Sequence, residues 1–186
     1  HIWGGRADVR SVLYMATISA MRCNPIRHAE LAWPDRTGHL RRTSMLRFTY
    51  PAKLTADRKD GGYVVSFRDL PEAITQGDSI DEAMSEAEGA LQAAIEGRLE
   101  DNMDIPAPTQ IKRGERPVAT PVTTALKAAV YIELKEQGIS KSELARRMNV
   151  NEKEARRMLN PKHPTKVPTL ERALAALGRR AEIEVI

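Results

Sequence analysis

The sequence predicts an α+β chain in which a small sheet-and-helix module precedes a mostly helical one. Three observations carry this. Residues 46–55 alternate apolar and polar side chains at period two, as a strand with one buried face does. Later stretches place apolar residues at steps of three and four behind Ser-x-x-Glu starts, the pattern of capped amphipathic helices. Charge also divides the chain: residues 45–110 hold 6 basic and 13 acidic side chains, whereas 111–186 hold 16 basic and 9 acidic. An asymmetry of that size implies two bodies that meet different partners.

Each element follows in order. In 46–55, Leu46, Phe48, Tyr50, Ala52 and Leu54 share one face. Asp60-Gly61-Gly62 is a turn signal, and 63–67 makes the returning strand of a hairpin. After Pro71, residues 73–76 read as a short third strand ending at Gly77. Ser79-Ile80-Asp81-Glu82 is a capping box that opens a helix with Ile80, Met84, Ala87, Leu91, Ala94, Ile95 and Leu99 on one stripe. Acidic residues cover the opposite face. The predicted order of the first module, 45–105, is β-β-β-α, with a fourth strand if residues 118–122 join it. Residues 106–121 read as a proline-rich linker containing that candidate strand, on the sheet edge or paired with another chain. The second module, 122–186, holds helices over 124–137, 141–148, 152–160 and 169–177, with Gly138 and Gly178 as stops. Residues 181–186 alternate and read as a terminal strand.

Composition bounds the function. A chain 41% apolar is not wholly disordered, and with only 4% aromatic residues its cores rest on Leu, Ile, Val, Met and Ala. No apolar run approaches the ~20 residues of a membrane span. The single cysteine, Cys23, excludes a disulfide framework and a multi-thiolate zinc site, and points to the reducing cytoplasm. Residues 1–44 contain both tryptophans, no lasting apolar period and a His at position 1. They are expected to be an upstream extension or mis-set translation start, mostly unstructured.

Two short helices around a tight turn, 140–159, form a helix-turn-helix pattern, with Ala145 at the crossing and Val150 plugging the turn. The second helix would present Asn151, Glu152, Lys153, Arg156 and Arg157 to the major groove, where Arg takes guanine edges. Ser140, Lys162 and Lys166 flank them as further DNA contacts. The run Ser142-Glu143-Leu144-Ala145-Arg146-Arg147-Met148 and the stretch 169–178 resemble the Xre-type helix-turn-helix. In the first module, Tyr50-Pro51-Ala52, Gly61-Gly62-Tyr63, Asp69-Leu70-Pro71-Glu72-Ala73, Thr75-Gln76-Gly77-Asp78 and Glu82-Ala83 resemble the HicB antitoxin family. That resemblance covers about residues 46–186. It implies a degenerate RNase H-like domain that masks a small basic HicA-like ribonuclease toxin, and a C-terminal module that binds the operator of its own operon.

The acidic first module suits a basic partner, and the basic second one suits DNA phosphate. Asp57, Asp60, Asp69 and Glu72 are the candidate toxin contacts. Val118, Val122, Ile183 and Val185 are candidates for pairing copies into a dimer or tetramer. A metal-dependent nuclease would need convergent carboxylates, yet Asp57 and Asp60 fall in a turn and Asp81 in a helix's first turn. A non-enzymatic antitoxin and repressor without metal or cofactor is expected. The alternative is a stand-alone DNA-binding regulator whose acidic module senses something other than a toxin.

Overall fold

The computed structural model describes residues 45–59 and 61–183, together with the backbone of two short strands, Trp33–Pro34 and Leu40–Arg41, which pair antiparallel. The chain divides into two compact units, His1–Met45 and Leu46–Ile186. The predicted extension lies almost wholly outside the described residues. The fold is α+β, as expected.

The second unit begins with β1 (Thr49–Ala56), β2 (Tyr63–Phe67) and β3 (Ile74–Gly77), followed by the long helix α1 (Ile80–Glu100). A fourth strand, β4 (Glu115–Ala119), completes an antiparallel sheet of order β3-β2-β1-β4. Then come α2 (Val122–Gln137), α3 (Lys141–Met148), α4 (Glu152–Leu159) and α5 (Val167–Ala176).

The predicted apolar face of β1 is buried at Tyr50 and Ala52, but Pro51 between them is buried as well, so strict alternation is broken there. Tyr50 and Ala52 are fully buried with Val65, Phe67 and Val118 against Ala83, Ala87, Leu91 and Ile95 of α1. The strand itself starts at Thr49 rather than residue 46. Thr49 pairs with Ala119, the last residue of β4, and one step further back only the bond from the Thr120 amide to Phe48 O (2.9 Å) remains before the chain turns into α2. Leu46 and Phe48 pack on the second core instead, and Phe48 reaches both cores. β3 likewise starts one residue late, because the Ala73 amide donates to Leu70 O in a turn.

The candidate strand 118–122 takes the first of its two expected places, the sheet edge, but its bounds are corrected. It runs over β4 and pairs within the chain, with Val118 opposite Tyr50. The Val118 side chain is therefore spent in the chain's own core, while Val122 is the exposed first residue of α2. The stretch before β4 is also tied down rather than free. Tyr50 Oη donates to Pro106 O (2.9 Å), and Asp69 accepts from the Thr109 amide and hydroxyl at 2.8 Å each. Burial, helped by the Asp69 charge, pushes the Tyr50 phenol up to about 12.

Side-chain caps open three of the predicted helices. The Ser79 and Ser140 hydroxyls accept from the amides of Glu82 (3.2 Å) and Glu143 (3.1 Å), and Asn151 Oδ1 accepts from Glu154 (2.7 Å). The Glu82 carboxylate returns to the Asp78 amide (2.9 Å), one residue short of the expected reciprocal bond. Gly138 closes α2 at φ +62°, as predicted.

Helix α2 is buried almost all round and belongs to both modules. Ala128 lies in the sheet core and Tyr131 packs against it, while Leu126, Val130 and Leu134 lie in the helical core with Leu144, Met158, Leu170 and Leu174. Thr124 Oγ1 donates to Glu96 of α1 (3.2 Å), and Lys135 Nζ meets Asp104 (2.6 Å). The chain after α5 folds back on α2, with Arg179 Nε 2.7 Å from the buried Glu133 carboxylate. No strand passes through the described residues 181–183, and Ile183 is exposed. The rest of the predicted terminal strand, with Val185, lies outside the described residues.

Candidate nucleic-acid interface and acidic sheet module

The helices α3 and α4 are joined by the short turn of Asn149 and Val150 and capped by Asn151. Asn149 sits in the left-handed region at φ +55°, a conformation that asparagine tolerates better than most residues. The Val150 amide donates to Ala145 O (3.0 Å), and Val150 packs into the helical core as expected of the turn's plug. Ala145 and Ala155 are both buried, which leaves Glu152, Lys153, Arg156 and Arg157 on the exposed face of α4. This is the helix-turn-helix frame, in which the first helix braces the second.

The predicted DNA contacts share this surface but not equally. Ser140 and Asn151 act as N-caps, their side-chain oxygens already engaged by their own helices. Arg156 Nε is held by Glu152 Oε1 at 2.9 Å, one helical turn back. That guanidinium, and then the Ser142 hydroxyl, hold the Glu152 carboxyl below the usual carboxylate range. Arg157 donates instead to His163 Nε2 (2.5 Å) in the loop after α4. Lys162 pairs with Glu100 at the end of α1 (2.9 Å), and Lys166 is exposed at the N-cap of α5. Burial, then the charges of Arg157 and Lys127, push the His163 ring below its ordinary value.

The acidic candidates of the sheet module are not brought together. Asp57 lies in the β1–β2 loop, where its carboxylate accepts from the Lys59 amide (2.8 Å). Asp60 lies outside the described residues. Asp69 and Glu72 sit past the other end of β2, about 17 Å away at ~3.4 Å per strand residue. The Asp69 side chain is only 5% exposed and holds Thr109 and Arg68, which withdraws it from any partner. Glu72 is exposed and paired with Arg98, whose hydrogen bonds hold its carboxyl below the usual range. The exposed acidic side chains of the sheet module that do share one element are Asp81, Glu82, Glu86, Glu88 and Glu100 on α1, the last of them paired with Lys162. Among the described residues no cluster of three or more His, Cys, Asp or Glu could hold a metal ion, and no helix is long and apolar enough to cross a membrane.

Comparison with known proteins covers both modules. Residues 49–129 match the family model described as the HicB-like antitoxin of bacterial toxin–antitoxin systems. Antitoxin HicB of Escherichia coli K12 is 36% identical over 137 residues, 74% of this chain and 99% of the relative. The chain belongs to the HicB antitoxin family. Antitoxin HicB 1 of Photorhabdus laumondii is 35% identical over 150 residues, covering 81% of this chain and 95% of its own length. Antitoxin HicB 2 of the same organism is 36% identical over 137 residues, 74% of this chain and 96% of its own.

One residue that the sequence motifs do not single out is Lys127. It lies in the middle of α2, is 3% exposed and directs its ammonium at the loop after α4. Its spacing of three to Val130 and seven to Leu134 places it on the buried stripe, and that spacing is the signal available in the sequence.

Proposed function

We propose that this chain is the antitoxin of a type II toxin–antitoxin pair. Its acidic sheet module binds and masks a small basic HicA-like ribonuclease, and its helix-turn-helix represses its own operon by binding operator DNA. The observation that carries this reading is that one folded unit holds an acidic sheet module and an exposed basic recognition helix. Opposite charge speeds association with a basic, RNA-binding partner and weakens as salt rises. The acidic face of α1 with Glu72 is the surface that suits it, since Asp69 is already engaged. On the DNA side, Arg156 and Arg157 are the base readers, and Lys153, Lys162 and Lys166 meet phosphates.

Reading a duplex through one helix per copy calls for at least a dimer, with recognition helices about 34 Å apart. The exposed Ile183 and the residues beyond it are the proposed clasp between copies. The chain works in the cytoplasm, beside the messenger RNA its partner cleaves, and performs no catalysis itself.

The test has two arms. The purified chain is mixed with the small basic protein of the adjacent reading frame, and messenger RNA cleavage is followed; suppression that fades with salt supports the first half. Binding of the DNA upstream of its own gene is measured for the parent, Arg156→Ala and Lys162→Ala. Arg156→Ala is expected to lose about 1–3 kcal/mol and blur sequence preference, and Lys162→Ala to weaken all duplexes alike. Cleavage that proceeds unhindered, or equal binding of upstream and random DNA by the parent, would refute the corresponding half.

A further inference from the structure

Lysine is among the side chains least often fully buried, yet Lys127 lies inside the helical module. Its Nζ is 2.9 Å from Asn160 O, 2.9 Å from Pro161 O and 2.6 Å from His163 O. Three ammonium protons thus meet three carbonyls, which satisfies the donor completely. These carbonyls belong to the turn that follows α4, beyond the reach of its helical ladder; Asn160 O also accepts from the His163 amide (3.1 Å) and His163 O from Thr165 Oγ1 (3.3 Å), and the lysine ties all three carbonyls together. A positive charge there also opposes the negative end of the α4 dipole.

The contacts continue outward. His163, whose carbonyl binds Lys127, receives Arg157 Nε on its ring Nε2 (2.5 Å). Thr165 Oγ1 sits 3.5 Å from the other ring nitrogen and donates to Met158 O of α4 (3.2 Å). An unbroken path therefore runs from the buried face of α2, through the 160–163 turn and the His163 ring, to a guanidinium on the exposed face of α4.

We propose that Lys127 is a positioning residue for DNA reading: its ammonium fixes the turn after the recognition helix and, through His163, aims Arg157 at the duplex. This rests on the DNA-binding half of the function proposed above. Because Ala128 and Thr124, on the same helix, pack against the sheet module, the aim of Arg157 is set from a helix that both modules share.

Binding of the full chain to two fluorescent duplexes tests this: the DNA upstream of its own gene, and a random sequence of equal length. Lys127→Met is expected to lower the preference for upstream over random DNA about tenfold, while its suppression of the adjacent reading frame's ribonuclease stays at the parental level. Should Lys127→Met fail to fold, His163→Ala decides, since it leaves the buried ammonium in place and removes the ring that ties Arg157, together with that ring's 3.5 Å contact to Thr165. The effects of His163→Ala and Arg157→Ala are expected to be non-additive, the double variant binding like Arg157→Ala alone. Parental preference in a folded Lys127→Met, or strictly additive effects in the second pair, would overturn the proposal while leaving the DNA-binding reading intact. No preference for upstream DNA by the parent itself would overturn both.

Discussion

Replacing Gly77 with alanine tests how the sheet is seated on α1. Gly77 ends β3 opposite Tyr63, and a Cβ built there would lie 2.5 Å from the Ala83 amide nitrogen, 2.8 Å from Ala83 Cα and 3.0 Å from Glu82 C. All three are backbone atoms of the first turns of α1, so no side chain can swing aside. Ordinary carbon contacts need about 3.5 Å, and the strand must back away from the helix by close to 1 Å. That loosens the contacts of Ala83 and Ala87, both fully buried, and disturbs the Ser79 cap two residues on. Overpacking of this kind costs about 1–3 kcal/mol, and the rigidity of the obstacle puts Gly77→Ala at the upper end, ~2–3 kcal/mol. At ~2–4 °C per kcal/mol for a chain of this size, the melting temperature should fall by about 4–12 °C. Gly89 is the internal control: it lies inside α1 with nothing within 4 Å of a built Cβ. Gly89→Ala should raise stability by ~0.5–1 kcal/mol, because glycine is the poorer helix former. Thermal unfolding by circular dichroism measures both. A Gly77→Ala melting curve that overlays the parent's, or two shifts of the same sign, would refute the packing argument.

Two further predictions concern ionisation and boundaries. The Glu72 carboxyl has its pKa lowered by Arg98 in the folded chain, so this pair contributes stability above the unfolded value of 4.5 and loses it as pH falls below. Melting temperature against pH should drop on the acid side, and Glu72→Gln should flatten that part of the profile; an unchanged profile would show that the pair contributes nothing. Residues 46–105 alone lack β4, Val118 and Ala128, which complete the sheet core. They should lose cooperative unfolding in a calorimeter, whereas a chain begun at Met45 should keep it; a sharp, reversible transition in the shorter piece would show that β4 is dispensable.

The residues of the helix-turn-helix are legible in the sequence because their signals are local. Ser140, Asn149 and Asn151 act on amides and carbonyls within a few residues of themselves, and the buried Leu144, Ala145, Met148, Ala155 and Met158 follow from helical spacing. The same holds for the Ser79 cap and the apolar face of Tyr50 and Ala52. The fate of charged side chains is less legible. Asp69 reads as a candidate toxin contact but binds Thr109, forty residues on, and the helical spacing that puts Lys127 on a buried stripe does not say which carbonyls its ammonium meets.

By itself, the sequence determined the helices, the hairpin, the side-chain caps and the apolar faces, though not a strand at 181–183 or the bounds of β4, since propensity and periodicity depend on neighbours a turn or a pleat away. It also determined the division of charge that separates an acidic module from a basic one. The tertiary structure alone decided that β4 closes the sheet against a strand more than sixty positions earlier, that the proline-rich stretch is strapped to it, and that α2 is shared by both cores. The physical reason is that a strand edge, a carboxylate or an ammonium can be satisfied by many partners, and only the folded chain brings one of them within hydrogen-bonding distance.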